Sequence, residues 1–285
     1  MKKAILISLI ITLAFILPVS LTAPAYADFN IGIMQDKRGA AAKFKPLLSY
    51  LSKNGVKAAF ITARSYPDAA KMFAKGKMDG MFSGSGIAGC LIIKGIAYPI
   101  VRPVTREGWS TYWAVVLAPE GSPHFTQNVR YFNDKKVIFC SLASSGEFFF
   151  RSIIGKEKVN TTVLKASSHG AAIDALSRGA ADIAIVKNRV WDNSRKKYIN
   201  IKRVGEDPGE NPNMTLIISN KCDPVLARKV ASLLLGLKNN NSAEAEAVKE
   251  SLGITGFIKT GKEDFKFTIP LLRKAGVDEK FNFSF

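Results

Sequence analysis

A short polar turn between an apolar run and a helix-like run is the stretch of this sequence best suited to bind an anion. Lys136–Cys140 is apolar, β-branched and aromatic, which predicts a buried strand, and Glu147–Ile154 has apolar residues at helical spacing. Ser144, Ser145 and Gly146 would then lie at a helix N-terminus, where backbone N–H groups are unpaired and the helix dipole is positive. A simple N-capping role for one of the serines explains the same pattern.

A second candidate comes from an internal repeat. Residues 65–79 and 168–182 match without a gap at a constant offset (168 − 65 = 103), and each copy predicts a polar turn, an amphipathic helix, a glycine C-cap and an aspartate. The matched pairs are Ser65 and Ser168, Gly76 and Gly179, and Asp79 and Asp182. Two lobes of similar design are therefore predicted, with Tyr66 and His169 at equivalent positions before a helix and facing a common cleft. The two aspartates are interpreted as structural.

The elements that would position these residues alternate between strand and helix. Predicted strands are 29–34, 56–62, 80–82, 98–104, 113–118, 136–140, 163–165, 183–186 and 214–219. Predicted helices are 40–51, 67–75, 87–94, 147–154, 170–178, 223–237, 243–252 and 262–275. This alternation predicts an α/β fold with largely parallel sheets covered by helices on both faces.

The N-terminal 27 residues have the pattern of a secretory signal. Lys2 and Lys3 precede the apolar run Ala4–Leu17, and Ala25-Tyr26-Ala27 forms a small-residue cleavage site, so cleavage is expected after Ala27. An uncleaved membrane anchor is the competing interpretation. The remaining 285 − 27 = 258 residues suffice for two lobes or for one large domain.

Charge and cysteine content exclude several classes of function. The formal charge is +18, or +16 without the two leader lysines, but the basic residues are scattered and no nucleic-acid-binding signature accompanies them. Cys90, Cys140 and Cys222 are too few for a disulfide scaffold and lack metal-ligand spacing, so buried thiols or a single Cys90–Cys222 bond are expected. No cofactor or metal is indicated.

Six stretches together resemble a known family. They are AAAKFKPLLSYL with SYPDAAKMFAKGKMDGMFSGSG, YWAVVLAPEGSP with KKVIFCSLASSG, SSHGAAIDALSRGAADIAIV, and LGITGFIKTGKEDF. In order and spacing they resemble the periplasmic substrate-binding proteins of phosphonate, phosphite and phosphate ABC transporters, over nearly the whole chain after the leader. The resemblance implies a type II periplasmic-binding-protein fold with two hinge crossovers. The expected lobes are 28–109 with 206–285, and 110–205.

The resemblance also implies a ligand site. Its contacts would be Tyr66, Ser83, Ser85, Tyr112, Ser144, Ser145, Gly146 and His169. Ala143 stands where the family usually has another serine. Ser83 and Ser85 stand where the family often has a turn with tyrosine and proline. No match is found for the acidic residues that bind the amino group of an aminophosphonate. The implied ligand is a small oxyanion, the implied partner an ABC permease or a membrane receptor, and the chain is expected to be a periplasmic monomer. Aminophosphonates rank below simple phosphonates and phosphate.

Two other functions fit the sequence less well. A sensor subunit would bind the same ligand but pass it to a receptor, and the sequence does not separate the two. A hydrolase could use Ser145 as nucleophile and His169 as base, but the sequence has no G-x-S-x-G motif and no evident acid to orient the histidine. The chain is therefore expected not to be an enzyme.

Overall fold

The computed structural model describes residues 29–34, 40–140 and 144–283, so the leader lies outside the described residues. Two mixed sheets carry the fold. The first contains β1 Phe29–Met34, β2 Ala58–Ala63, β3 Gly80–Ser83, β4 Ala97–Thr105, β12 Thr215–Ser219 and β13 Ile254–Lys259, in the order β13-β4-β12-β3-β1-β2. The second contains β6 Ala114–Pro119, β7 Lys135–Cys140, β8 Thr161–Ala166, β9 Ile183–Lys187 and β10 Ile201–Glu206, in the order β10-β6-β9-β7-β8. We call the two halves lobe 1 and lobe 2.

The two connections between the lobes meet in a small ribbon of their own. In it β5 Thr111–Tyr112 pairs antiparallel with β11 Asn211–Pro212. The chain leaves lobe 1 after β4, enters lobe 2 through β6, leaves it after β10 and returns through β12. The ribbon therefore brings Tyr112 to the junction of the lobes.

Strand directions are mixed in both sheets. Four strands of each sheet run in one direction, but β12 and β13 oppose them in lobe 1, and β6 opposes them in lobe 2. The reason lies in the connections. A chain that arrives from the other lobe starts at the facing edge, where the parallel strands end, so β6 and β12 must run away from that edge.

The helices fill the faces of both sheets. They are α1 Lys45–Lys53, α2 Tyr66–Ala74, α3 Ser85–Ile93, α4 Ser145–Ile154, α5 His169–Ser177, α6 Asn188–Ser194, α7 Pro224–Gly236, α8 Ala243–Leu252 and α9 Thr268–Lys274. α3 is buried along its whole length, as its uniformly apolar sequence requires. At Gly89 in this helix an added Cβ would lie 2.4 Å from Leu272 Cδ1, so α3 and α9 approach closely.

Some predicted boundaries were wrong. The helix expected over 40–51 is a 3₁₀ turn, Ala40–Phe44, followed by α1, because Pro46 lacks a backbone N–H and fits best in a first helical turn. The helix expected over 262–275 is likewise a 3₁₀ turn, Lys262–Phe265, followed by α9. The sequence interpretation also missed five elements: β5, β10, β11, β13 and α6.

The structure shows the repeat in both lobes. Ser65 and Ser168 cap α2 and α5, accepting backbone N–H groups of Asp68 and Ala171 at 3.2 and 3.1 Å. Gly76 and Gly179 end the helices at φ 74° and 73°, a conformation that favours glycine.

The two aspartates of the repeat play matching structural roles. The Asp79 carboxylate accepts the Asn30 N–H at 2.8 Å, and the Asp182 carboxylate accepts the Lys136 N–H at 2.7 Å. Each aspartate thus ties the start of one strand to its neighbour, as its structural interpretation predicted.

Two further expectations concern thiols and membrane spans. Cys90 and Cys222 form no disulfide with each other, which leaves the buried-thiol alternative. Among the described residues no helix is long and apolar enough to cross a membrane.

Candidate functional site

A small pocket lies where the two lobes face each other. Its lining comes from both lobes and from the connecting ribbon: Tyr66, Gly84, Gly86, Ile87, Tyr112, Ser144, Ser145, His169 and Lys187. Five of the eight predicted ligand contacts are in this set: Tyr66, Tyr112, Ser144, Ser145 and His169. We call it the anion pocket, for the reasons given below.

Four helix N-termini converge on the anion pocket. Tyr66 and His169 are the first residues of α2 and α5, Gly84 precedes α3, and Ser144 precedes α4. Each N-terminus carries partial positive charge and unpaired backbone N–H groups. Two come from each lobe, so the positive ends face one another across the cleft.

The first turns of α3 and α4 keep backbone donors available. The Ser144 hydroxyl accepts the Glu147 N–H at 3.3 Å, so the capping role proposed for this serine is present. Within the described part of the chain, the N–H groups of Ser145 and Gly146 have no hydrogen-bond acceptor. Gly84, which precedes α3, provides no capping side chain. These open donors can bind an anion.

Gly146 does not line the anion pocket, and close packing of α4 against β9 requires a glycine at this position. A Cβ at this position would lie 2.5 Å from the Ile185 carbonyl oxygen and 3.2 Å from Phe139 Cβ. α4 therefore approaches β9 more closely than any residue other than glycine at position 146 would allow. Gly146 could contribute only its backbone N–H to ligand binding.

Tyr112, on the connecting ribbon, contacts both lobes where it lines the pocket. Its ring is buried, and its hydroxyl lies 2.6 Å from the Ser85 hydroxyl on lobe 1. Burial raises the pKa of Tyr112, and hydrogen bonds with the Ser85 and Ser145 hydroxyls act in the opposite direction. Ser85 does not line the pocket, and its hydroxyl bonds Tyr112, so the structure does not bring this predicted contact to the pocket.

Lys187 is a site residue that the sequence interpretation missed. It ends β9, its Nζ donates to Asn213 Oδ1 at 2.9 Å, and the same atom lies 4.1 Å from the centre of the Tyr112 ring. Burial, followed by repulsion from Arg189, lowers the pKa of Lys187 to about 8. The site could have been predicted to include Lys187, because this residue ends a strand and ligands of α/β sheets bind beyond the carboxyl ends of strands.

His169 contributes a polar atom that has no partner within the described structure. Its Nδ1 is buried and makes no hydrogen bond to any described residue. Burial, followed by repulsion from Lys187, lowers the pKa of His169 to about 3, so the ring is neutral at physiological pH. A buried polar atom without a partner costs about 1–3 kcal/mol, which a bound ligand could recover.

No acidic residue is among the described residues that line the pocket. Glu147, which closely follows the lining residues Ser144 and Ser145 in sequence, is fully buried. Its carboxylate lies 3.4 Å from the guanidinium of Arg151, one turn further along α4. This ion pair compensates the negative charge of Glu147. The pocket combines neutral donors with one cation.

A larger space adjoins the anion pocket on the lobe 1 side. Its volume is about 190 Å³, and it shares four lining residues with the pocket: Tyr66, Gly84, Ile87 and Lys187. We call this space the side chamber. Ser83, a predicted ligand contact, lines the side chamber and not the anion pocket. Trp109 and Trp113 line a different surface depression.

Comparison with known families agrees with this architecture. Residues 31–265 match the profile of the family described as "ABC transporter, phosphonate, periplasmic substrate-binding protein". The chain belongs to this family. The phosphonate-binding family thus accounts for almost all of the described chain. No curated protein is detectably similar in sequence.

Solved structures of similar fold come from several bacteria. The Xanthomonas citri protein XAC2383 in its chloride-bound form has a TM-score of 0.73 at 15% identity, with 87% of this chain and 97% of that chain covered. PhnD1 of Prochlorococcus marinus, solved with methylphosphonate, has a TM-score of 0.68 at 15% identity, with 87% and 98% covered. A binding-protein component of a phosphonate transporter from Pseudomonas aeruginosa has a TM-score of 0.64 at 16% identity, with 86% and 87% covered. These likenesses establish the type II periplasmic-binding-protein fold.

Proposed function

We propose that this chain is an exported solute-binding protein that captures a small phosphonate- or phosphate-like oxyanion between its lobes and delivers it to an ABC permease. The observation that carries the proposal is the convergence of four helix N-termini on one pocket whose described lining contains no carboxylate. Such a pocket offers several directed donors and partial positive charge to an anion. Family membership supports the same ligand class and the transporter setting.

The proposed donors surround the ligand from both lobes. Ser144, Ser145 and backbone N–H groups of α4 act from lobe 2, and Tyr66 and the start of α3 from lobe 1. His169, as a neutral ring, donates or accepts one hydrogen bond, and Lys187 supplies the compensating charge. A ligand that touches both lobes would favour their closure about the β5–β11 ribbon.

Export and partner follow from the same proposal. The leader pattern of residues 1–27 and the periplasmic setting of the family support release into the periplasm after cleavage at Ala27. N-terminal sequencing of the exported protein should begin at Asp28.

Hydrolysis is a poorer fit to the site geometry. Ser145 and His169 do line the same pocket, as a nucleophile and a base would have to. The His169 pKa of about 3 makes its ring a weak base, and within the described structure no acid orients its Nδ1. Both features favour binding without turnover.

The direct test is titration calorimetry with phosphate, phosphite, methylphosphonate and sulfate. We expect Ser145→Ala and His169→Ala each to weaken the best of these ligands roughly ten- to a hundred-fold, because a hydrogen bond to a charged group contributes about 1.5–3 kcal/mol. His124→Ala is the matched control, since the second histidine of the chain is exposed and lies outside the helices and strands. If no oxyanion binds, or if binding survives both substitutions, the cargo or the site is different.

A further inference from the structure

The side chamber has a chemistry unlike that of the anion pocket. Eight of its described lining residues are apolar and lie on β1, β3, α2 and α3, near the start of α1 and before β12: Ile33, Met34, Phe44, Ala69, Met81, Phe82, Ile87 and Met214. Its polar lining residues are Ser83, Tyr66 and the two lysines Lys43 and Lys187. Among the described residues that line it there is no carboxylate.

The position of the chamber determines what it can hold. Tyr66, Gly84, Ile87 and Lys187 line both spaces, so a molecule whose phosphonate occupies the anion pocket can extend its substituent into the chamber. The anion pocket, with about 20 Å³ of free space, is much smaller than the chamber and has no room for a substituent. The chamber therefore gives the substituent a direction in which to extend.

The size of the chamber suits an organic group of several carbon atoms. Its volume is about 190 Å³. An engineered apolar cavity of about 150 Å³ in another protein stays dry and binds benzene. A methyl group would leave most of the chamber unfilled, whereas a butyl chain or a phenyl ring would contact its walls.

The charges of the described residues around the chamber disfavour a cationic substituent. An ammonium group would enter a space that holds two amines and, in the described lining, no acidic partner. Burying an unpaired charge is strongly unfavourable, and repulsion by the two lysines would add to the cost.

We infer that the preferred ligand is a phosphonate or phosphate monoester with an uncharged apolar substituent of about four to six carbon atoms, held in the side chamber. This inference rests on the proposed function, because the oxyanion head group must occupy the anion pocket. It adds a substrate class that the oxyanion chemistry alone does not specify.

A homologous series measured by titration calorimetry tests the inference. Methyl-, ethyl-, propyl- and butylphosphonate should bind progressively tighter, by about fourfold for each added methylene, which corresponds to about 0.8 kcal/mol for each buried CH₂. Phenylphosphonate should bind at least about tenfold tighter than methylphosphonate by the same reasoning. The decisive pair is propylphosphonate and 2-aminoethylphosphonate, which have nearly the same shape and differ in charge. We expect the propyl compound to bind more than about tenfold tighter.

Each outcome separates the inference from the proposed function. Affinities that stay level or fall from methyl to propyl, or an aminoethyl compound that binds as tightly as the propyl one, would overturn the inference while methylphosphonate binding upholds the oxyanion function. If no phosphonate or phosphate binds, the proposed function fails first.

Chamber-filling variants localise the effect. Ala69→Leu adds three carbon atoms to the wall, so the ratio of propyl to methyl affinity should fall toward one. If the buried Ala69 does not tolerate leucine in thermal unfolding, the half-buried Met34→Trp at the chamber edge provides the same test. An unchanged ratio in a folded variant would place the substituent elsewhere and contradict the inference.

Discussion

Replacing Gly146 by alanine tests whether the close approach of α4 to β9 sets the geometry of the anion pocket. An alanine Cβ would lie 2.5 Å from the Ile185 carbonyl oxygen, and ordinary contact begins near 3.4 Å, so α4 must move by about 3.4 − 2.5 = 0.9 Å. Backbone atoms are on both sides of this contact, so a rotamer change cannot relieve it. Overpacking of this kind typically costs about 1–3 kcal/mol of unfolding free energy.

The same shift would weaken ligand binding. The N–H groups of Ser145 and Gly146 belong to the turn that must move, and a hydrogen bond of about 2.9 Å does not survive lengthening by 0.9 Å. Losing one bond to a charged ligand lowers affinity roughly ten- to a hundred-fold. Calorimetry with the best-binding oxyanion and urea unfolding would measure both effects.

The chain offers a matched control at Gly170. This glycine is the second residue of α5, as Gly146 is of α4, but the nearest atom to its added Cβ is Ser168 Oγ at 3.9 Å. Gly170→Ala should therefore leave affinity unchanged and raise stability by up to about 1 kcal/mol, because alanine favours the helix. The reasoning fails if the two substitutions have the same effect, or if Gly146→Ala retains both wild-type stability and wild-type affinity.

Three further predictions concern a cation, a carboxylate and two thiols. With the Lys187 pKa near 8, the ratio of wild-type to Lys187→Gln oxyanion affinity should be level below that pH and fall by up to tenfold per pH unit above it, because ionisation of the ligand affects both proteins equally. Asp182→Ala removes the acceptor of the Lys136 N–H and should cost about 1–2 kcal/mol in urea unfolding with unchanged affinity; a drop in affinity would give the aspartate a different role. Burial raises the pKa of Cys90, and that of Cys222 to about 11, so both thiols should react slowly with iodoacetamide in the native protein. After denaturation without reductant both should react completely, and incomplete labelling would indicate a disulfide.

Features with a local chemical cause were predictable from the sequence. The repeat appears twice because the same serine cap, glycine C-cap and aspartate solve the same problem in each lobe. The capping of α4 by Ser144 and the cleft position of Tyr66 and His169 follow from the same local logic. The family and its fold were correctly identified from the order of these local patterns.

Features that depend on distant residues were not predictable. Ser85 was expected to contact the ligand, but Tyr112, 27 positions later, takes its hydroxyl. Lys187 follows four apolar strand residues and resembles an ordinary strand-ending lysine, yet its ammonium group meets Asn213 and the Tyr112 ring. The side chamber is formed by residues from Ile33 to Met214, and no local pattern indicates that these side chains surround one space.

The charges on the two sides of the cleft suggest why closure would depend on a ligand. Lys43 belongs to lobe 1 and Lys187 to lobe 2, and repulsion from Arg189 and Lys43 contributes to the lowered pKa of Lys187. Bringing the lobes together without an anion therefore concentrates positive charge and four helix N-termini in a poorly solvated space. An oxyanion reverses the sign of that interaction, because it gives each lobe a common acceptor for its donors. Differential stabilisation of this kind is what a ligand needs in order to shift an open–closed equilibrium. A neutral molecule that only filled the side chamber would leave the repulsion in place, so the oxyanion head group, and not the substituent, should drive closure.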